Sequence, residues 1–122
     1  RLPAFSTSMG RVLLADLDRA GVDAALEASD LVARTDRSVT NVEHIYAELA
    51  IAKAQGWYLI DEELELGIRA VAAPVHDLSG TVVAAINVST TTARMSRGDL
   101  IESVVPKLLD TVKRLSSTLQ AR

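Results

Sequence analysis

Two stretches of the 122-residue chain place together groups that could hold a small anion. The first is Ser6-Thr7-Ser8-Met9-Gly10, which opens an apolar-periodic segment. A helix N-terminus leaves several backbone amides without acceptors and carries roughly half a positive charge, so it suits an anion. Ser8 could add a hydroxyl, and Gly10 lets a ligand or a neighbouring backbone come close. Ordinary capping by Ser6 or Thr7 explains the same residues without any ligand.

The second stretch is a pair of Val/Ile/Ala-rich runs, 67–75 and 81–89, joined by the turn residues His76-Asp77-Leu78-Ser79-Gly80. If His76 faces Thr81, Val75 pairs with Val82, Ala73 with Ala84, Ala70 with Asn87 and Ile68 with Ser89. One face of the hairpin then carries Val71, Ala73, Val75, Val82, Ala84, Ile86 and Val88, which reads as core. The other carries Ala70, Ala72, Val83, Ala85, Asn87 and Ser89. Small side chains there leave room for a guest, and the last two can orient its polar groups. A helix packed closely on the alanines fits the same pattern, and a one-residue slip would exchange the faces.

Catalytic readings fare poorly. Ser8 lies in Thr-Ser-Met-Gly, not in the Gly-x-Ser-x-Gly elbow of a hydrolase. His44 and His76 have no evident Ser or Asp partner. Asp61, Glu62, Glu63 and Glu65 lack the glycine and alternating ligands of a calcium loop, so a solvated acidic loop is expected. Met9-Gly10-Arg11 is one glycine, not a phosphate cradle. No enzyme activity, cofactor or metal is expected.

The elements that must position these groups follow from periodicity. Met9, Val12, Leu13 and Leu17 predict a helix from Ser6 to about Leu17, and a short helix around Val22 to Ala28 follows Gly21. Residues 29–38 read mostly as a loop. Thr40-Asn41-Val42-Glu43 is a capping box for a helix that Gly56 ends. Trp57 to Ile60 reads as a short strand, so three strands follow one another with short connections, an antiparallel meander. Ser96, with Asp99 three residues on, opens a long amphipathic helix striped by Leu100, Val104, Leu108, Val112, Leu115 and Leu119. Pro106 predicts a kink or restart in it. Helices on both sides of only three strands would leave a bare edge, which suggests a fragment with more sheet upstream.

Composition narrows the class. The chain is 48% apolar and 24% charged, which suits one folded domain over residues 1–122 and excludes disorder as a whole-chain description. No apolar run approaches the roughly 18 residues of a membrane span. Without cysteine there is no disulfide scaffold or thiolate site, and a reducing cytoplasm fits. A net charge of -3 and 3% aromatic content argue against this segment gripping nucleic acid by itself.

Four motifs then occur in series: Leu2-Pro-Ala-Phe-Ser-Thr-Ser-Met-Gly-Arg-Val-Leu-Leu-Ala15, Gly56-Trp-Tyr-Leu-Ile-Asp-Glu-Glu63, Gly67-Ile-Arg-Ala-Val-Ala-Ala-Pro-Val75 and Ala84-Ala-Ile-Asn-Val-Ser89. Together they resemble the C-terminal effector-binding domain of IclR-family bacterial transcriptional regulators, across essentially the whole chain. The first motif further resembles the branch that regulates aromatic-acid catabolism through protocatechuate and β-ketoadipate. The resemblance implies a GAF-like α/β (α+β) domain, an antiparallel sheet flanked by helices. It implies a small organic-acid effector and a homodimer or homotetramer. It also implies a separate N-terminal winged helix-turn-helix through which alone DNA is bound, and that module is absent from this chain. By the same resemblance the effector pocket takes in the amides of Ser8 and Met9 beside Gly10, the positions of Ile60 and Ala70, and the side chains of Asn87 and Ser89. Ile60 stands where carboxylate-binding relatives use an acidic residue, and Ala70 where they use Cys. A more apolar, roomier pocket is therefore expected, suited to an aromatic or longer-chain acid. The competing expectation is a ligand-free oligomerisation or interaction module with a helix on the alanine face.

Overall fold

One hydroxyl decides where the first helix begins. Thr7 sits in extended backbone and its side chain accepts from the Gly10 amide at 3.0 Å, so α1 spans Ser8–Ala15. The computed structural model describes residues 7–28, 31 and 33–120; the Ser6 cap expected from the sequence lies outside them. Asp18 caps α2 (Arg19–Glu27), which starts before the predicted Val22 because Asp18 Oδ1 takes the Gly21 amide. Asn41, not Thr40, caps α3 (Val42–Gln55), accepting from the His44 amide at 3.1 Å. The capping-box reading was one residue early, since Asn and Thr both accept and only the backbone's turn-in point chooses between them. Gly56 ends α3 as expected, at φ 80°.

The sheet is β1 (Tyr58–Asp61), β2 (Ile68–His76) and β3 (Val82–Thr91), antiparallel with β2 in the middle. The predicted register does not hold, and the predicted faces hold only from Ala84 on: Val82 stands on the α1 side beside Val12 and Pro74, and Ala84 and Val88, expected in the core, are exposed. Val75 pairs with Ala84, Ala73 with Ile86, Ala70 with Ser89 and Ile68 with Thr91, two residues from the expected partners. Asp77 explains the first step: its Oδ1 accepts from the amides of Ser79 and Thr81, and its own amide donates to Thr81 O. The turn therefore runs from Asp77 to Thr81 and puts Val82 opposite His76. An irregularity between Val75 and His76 adds the second step. Either step alone would have exchanged the faces. Pro74 lies past Ala72, the last β2 residue that β1 reaches. The His76 amide on that open side is taken by Ser116 Oγ at 3.1 Å, so a proline two residues earlier costs the ladder nothing.

Helices cover both faces, confirming the α/β (α+β) class. On one, Leu59, Val71, Ala73 and Val75 pack with Leu100, Val105, Leu108 and Val112. On the other, Val12 of α1 and Ala52 of α3 pack on Tyr58, Ile60 and Ala72. A further cluster of Leu14, Val22, Leu26, Ile45 and Leu49 binds α1 to α2 and α3. The C-terminal stripe is interrupted as Pro106 required. Ser96 caps a short α4 (Arg97–Asp99), a π-helical segment Leu100–Val104 follows, and α5 runs Val105–Gln120. The Val105 amide reaches back to Leu100 O, and the wider turn lets Pro106 enter the first turn of α5, where a missing N–H is harmless. Of the predicted stripe, Leu100, Leu108 and Val112 are buried, whereas Leu115 and Leu119 are exposed.

The acidic run is no solvated loop, and that expectation is corrected. Asp61 pairs with Arg69 at 2.7 Å and Arg97 at 3.6 Å, Glu62 with Arg37 at 3.1 Å, and Glu63 with Arg11 at 2.5 Å. Arg11 is fully buried and Glu63 is 8% exposed. The guanidinium grips both Glu63 oxygens, donates to Tyr58 Oη at 2.9 Å and lies 5.0 Å from that ring's centre. Thr35 and Ser38 hydroxyls donate to the carbonyls of Glu62 and Glu63, pinning the turn from outside. Burial pushes the Glu63 carboxyl above the ordinary glutamate value, and Arg11 pulls against it without cancelling it.

Three outcomes are expected. Asn41→Ala should cost about 1 kcal/mol in denaturant melts while Thr40→Ala costs much less, which equal losses would contradict. Arg11→Met should cost roughly 3–5 kcal/mol by stranding a buried carboxylate, and Arg11→Met with Glu63→Leu should recover most of that loss. Failure of the double replacement to recover would mean the two groups do not act as a pair. Because the native Glu63 binds its proton more tightly than the unfolded chain does, its contribution to stability falls as pH rises from the ordinary glutamate range through the raised native pKa. Glu63→Gln should flatten that part of the stability–pH curve, and an unchanged curve would refute the assignment.

Candidate functional site

α1 lies across the alanine face of the sheet, and its direction fixes what its two ends meet. At its C-terminal end, Asp16 Oδ2 accepts from the Val82 amide at 3.3 Å, beside the hairpin turn. Midway, Val12 packs on Tyr58, Ile60 and Ala72, and Arg11 reaches Glu63 just past β1. The N-terminal residues Ser8, Met9 and Gly10 thus point toward the opposite end of the sheet, where Ile60, Ala70 and Ser89 form one row across three strands. The next row is Tyr58, Ala72 and Asn87.

Ser8 and Gly10 are buried and Met9 is 39% exposed. Thr7 takes the Gly10 amide and the Thr7 carbonyl takes the Arg11 amide. The Ser8 and Met9 amides have no acceptor among the described residues. Ile60 is buried under Val12, while Ala70 is half-buried. Asn87 and Ser89 are exposed, and Asn87 Nδ2 donates to Ser89 Oγ at 3.2 Å. Four of the seven residues singled out in the sequence, Ile60, Ala70, Asn87 and Ser89, lie in two adjacent rows of the sheet, with Ser89, not Asn87, opposite Ala70, and the other three form the first turn of α1.

The alanine face is used in two ways. Ala72, with no exposed surface, and Ala85 let Val12 and Ala15 settle directly on the strands. Past that contact, the small residues give way to the polar pair on β3. The fully buried guanidinium beneath α1 was not foreseen. Arg11 occupies a position that the apolar period would leave on a flank, and its partners Tyr58 and Glu63 are far off in sequence, so no local pattern announced it. Among the described residues no group of acidic and histidine side chains has the arrangement to hold a metal ion. His44 is engaged by Glu48 at 3.0 Å. No helix of the described residues is long and apolar enough to cross a membrane. A hollow bordered by Val12, Asp16, Ala52, Pro74, His76 and Val82 lies at the other end of α1, away from the seven residues.

Comparison with known proteins gives the geometry its context. Residues 1–117 match the family model described as the bacterial transcriptional regulator IclR C-terminal domain. The Pca regulon regulatory protein of Pseudomonas putida is 46% identical over 109 residues, covering 89% of this chain and 38% of the relative. A crystal structure from Rhodococcus sp. RHA1, described as a transcriptional regulator, superposes with a TM-score of 0.93 at 42% identity, covering 99% of this chain and 49% of that one. The inducer-binding domain of the Acinetobacter transcription factor PobR, a double mutant in complex with 3-hydroxybenzoic acid, has a TM-score of 0.91 at 35% identity and covers 95% of this chain and 68% of that one. The chain spans less than half the length of the curated relatives it matches. A match over nearly every residue, at this identity and with this superposition, places the chain in the IclR C-terminal domain family of bacterial transcriptional regulators.

Proposed function

We propose that the chain senses a small organic acid for a cytoplasmic, homo-oligomeric regulator, and that it catalyses no reaction. The acid's carboxylate accepts from the Ser8 and Met9 amides, and its polar tail meets Asn87 and Ser89. DNA is read by a separate winged helix-turn-helix domain. The observations that support this reading are the two amides at the tip of α1 with no acceptor among the described residues and the Ile60–Ala70–Ser89 row that adjoins Asn87. The flanking chemistry is apolar at Ile60 and Ala70 and adaptable at Met9, which suits an aromatic or longer-chain carboxylate better than a two- or three-carbon keto acid. The 3-hydroxybenzoic acid complex of the PobR domain supports the aromatic choice. The effector alters DNA binding only by preferring one subunit arrangement, since equal affinity for both shifts nothing.

A ligand-free interaction module draws on one specific observation: Val12 and Ala15 already fill the middle of the alanine face. That leaves the polar end unexplained, so the sensor reading is preferred. Titration calorimetry with 3-hydroxybenzoate, protocatechuate and adipate separates the two. At least one acid should bind, and Asn87→Ala or Ser89→Ala should weaken it about tenfold, or about 1.4 kcal/mol. A folded protein that binds none of them, with both variants regulating normally in the full-length protein, would point to the interaction module.

A further inference from the structure

The hollow at the C-terminal end of α1 has no role in the acid site. Its volume is about 380 Å³, within the range of small-molecule sites (roughly 300–1,000 Å³). Val12, Ala52, Pro74 and Val82 give it an apolar floor. Two helices end on it, α1 at Asp16 and α3 at Gly56, and a helix C-terminus carries partial negative charge on its last carbonyls. Asp16 adds a full charge. Its Oδ2 makes only a long contact with the Val82 amide at 3.3 Å, and its Oδ1 has no donor among the described residues. The opposing charge at the rim is Lys53, exposed on a flexible stem and in no ion pair among the described residues. His76 borders the same space. The field over the floor therefore sums one carboxylate and two helix C-termini of the same sign against the cation Lys53 at the rim.

We propose that this hollow is a second ligand site, for a primary ammonium compound with an apolar body. The ammonium sits on Asp16 and the body on the Val12–Ala52–Pro74–Val82 floor. Such a ligand is either a free amine or an α-amino acid; the latter places its carboxylate on Lys53. The site is opposite in charge preference to the α1 N-terminus, as the two ends of one helix dipole require. Because one helix borders both sites, occupancy of one influences the other to the extent that the two ligands favour different positions of α1.

The test is calorimetric titration of the 122-residue chain with phenethylamine, L-phenylalanine and 3-phenylpropionate, which share one apolar body. Either amine should bind saturably, with 3-phenylpropionate weaker by about tenfold or more in the Asn87→Ala chain, where the acid site is weakened, and Asp16→Asn should weaken amine binding about tenfold. Lys53→Met, at an exposed position that spares the fold, should tighten phenethylamine and weaken L-phenylalanine, which tells a free-amine site from an amino-acid site. Binding of 3-phenylpropionate that Asn87→Ala weakens belongs to the acid site, and amine binding that Asp16→Asn weakens belongs to this one, so that failure of the acid site and failure of this one stay distinct. The proposal is overturned if neither amine saturates at millimolar concentration or if 3-phenylpropionate binds the Asn87→Ala chain as tightly as the amines do. Equally, it falls if folded Asp16→Asn binds amines as the unaltered chain does, or if Lys53→Met moves phenethylamine the other way.

Discussion

A guanidinium with no exposed surface must be satisfied from within, and in this domain that requirement sets the position of α1. Arg11 reaches down from the middle of the helix to both oxygens of Glu63 and to the Tyr58 hydroxyl, so β1, the turn after it and α1 meet at one charged knot. The pair is not a source of large net stability, because two ions were taken out of water to make it. Its effect is on placement. An apolar contact such as Val12 on Ala72 tolerates sliding, whereas a two-pronged ion pair in a dry site tolerates very little. With the centre of α1 held, its two ends are held as well.

That placement matters because the ends of a helix are chemically opposite. The N-terminal tip offers amides, and the C-terminal end offers carbonyls and Asp16 beside the hairpin. The small residues of β2 and β3 permit both, since alanines let a helix lie close enough for its ends to address the sheet directly. Larger side chains at Ala72 or Ala85 would lift α1 away and dilute both fields with solvent.

The C-terminal helix solves a different problem on the other face. Its apolar stripe must continue past Pro106, which an unbroken α-helix does not allow. The π-helical turn Leu100–Val104 resets the phase, so that Leu100 packs in the same cluster as Val105, Leu108 and Val112. The Ser116 hydroxyl on this helix closes the β2 edge where β1 has ended, linking helix phase to strand termination.

Much of this was legible in the sequence because it rests on local rules. Helices, strands, the Gly56 stop, the consequence of Pro106 and the two faces of the hairpin all follow from period and from residue types that turn or end a chain. The candidate acid-site residues were chosen partly by spacing and partly by family likeness, and they stand as a proposal. Register was not legible: the Asp77 turn and the irregularity before His76 each moved the pairing by one residue, and only their sum preserved the faces from Ala84 on, while Val82 changed sides. Nor was the difference between Asn41 and Thr40 as caps, or the fate of Glu63, because identical side chains serve solvent or a partner according to what folding brings near. By itself the sequence determined which elements form and which faces they bury, since those depend on neighbours within a few positions. Tertiary structure alone decided which strand residue stands opposite which and where the buried charge pairs. It also decided what each end of α1 confronts, because those are distances between groups that the chain separates by tens of residues.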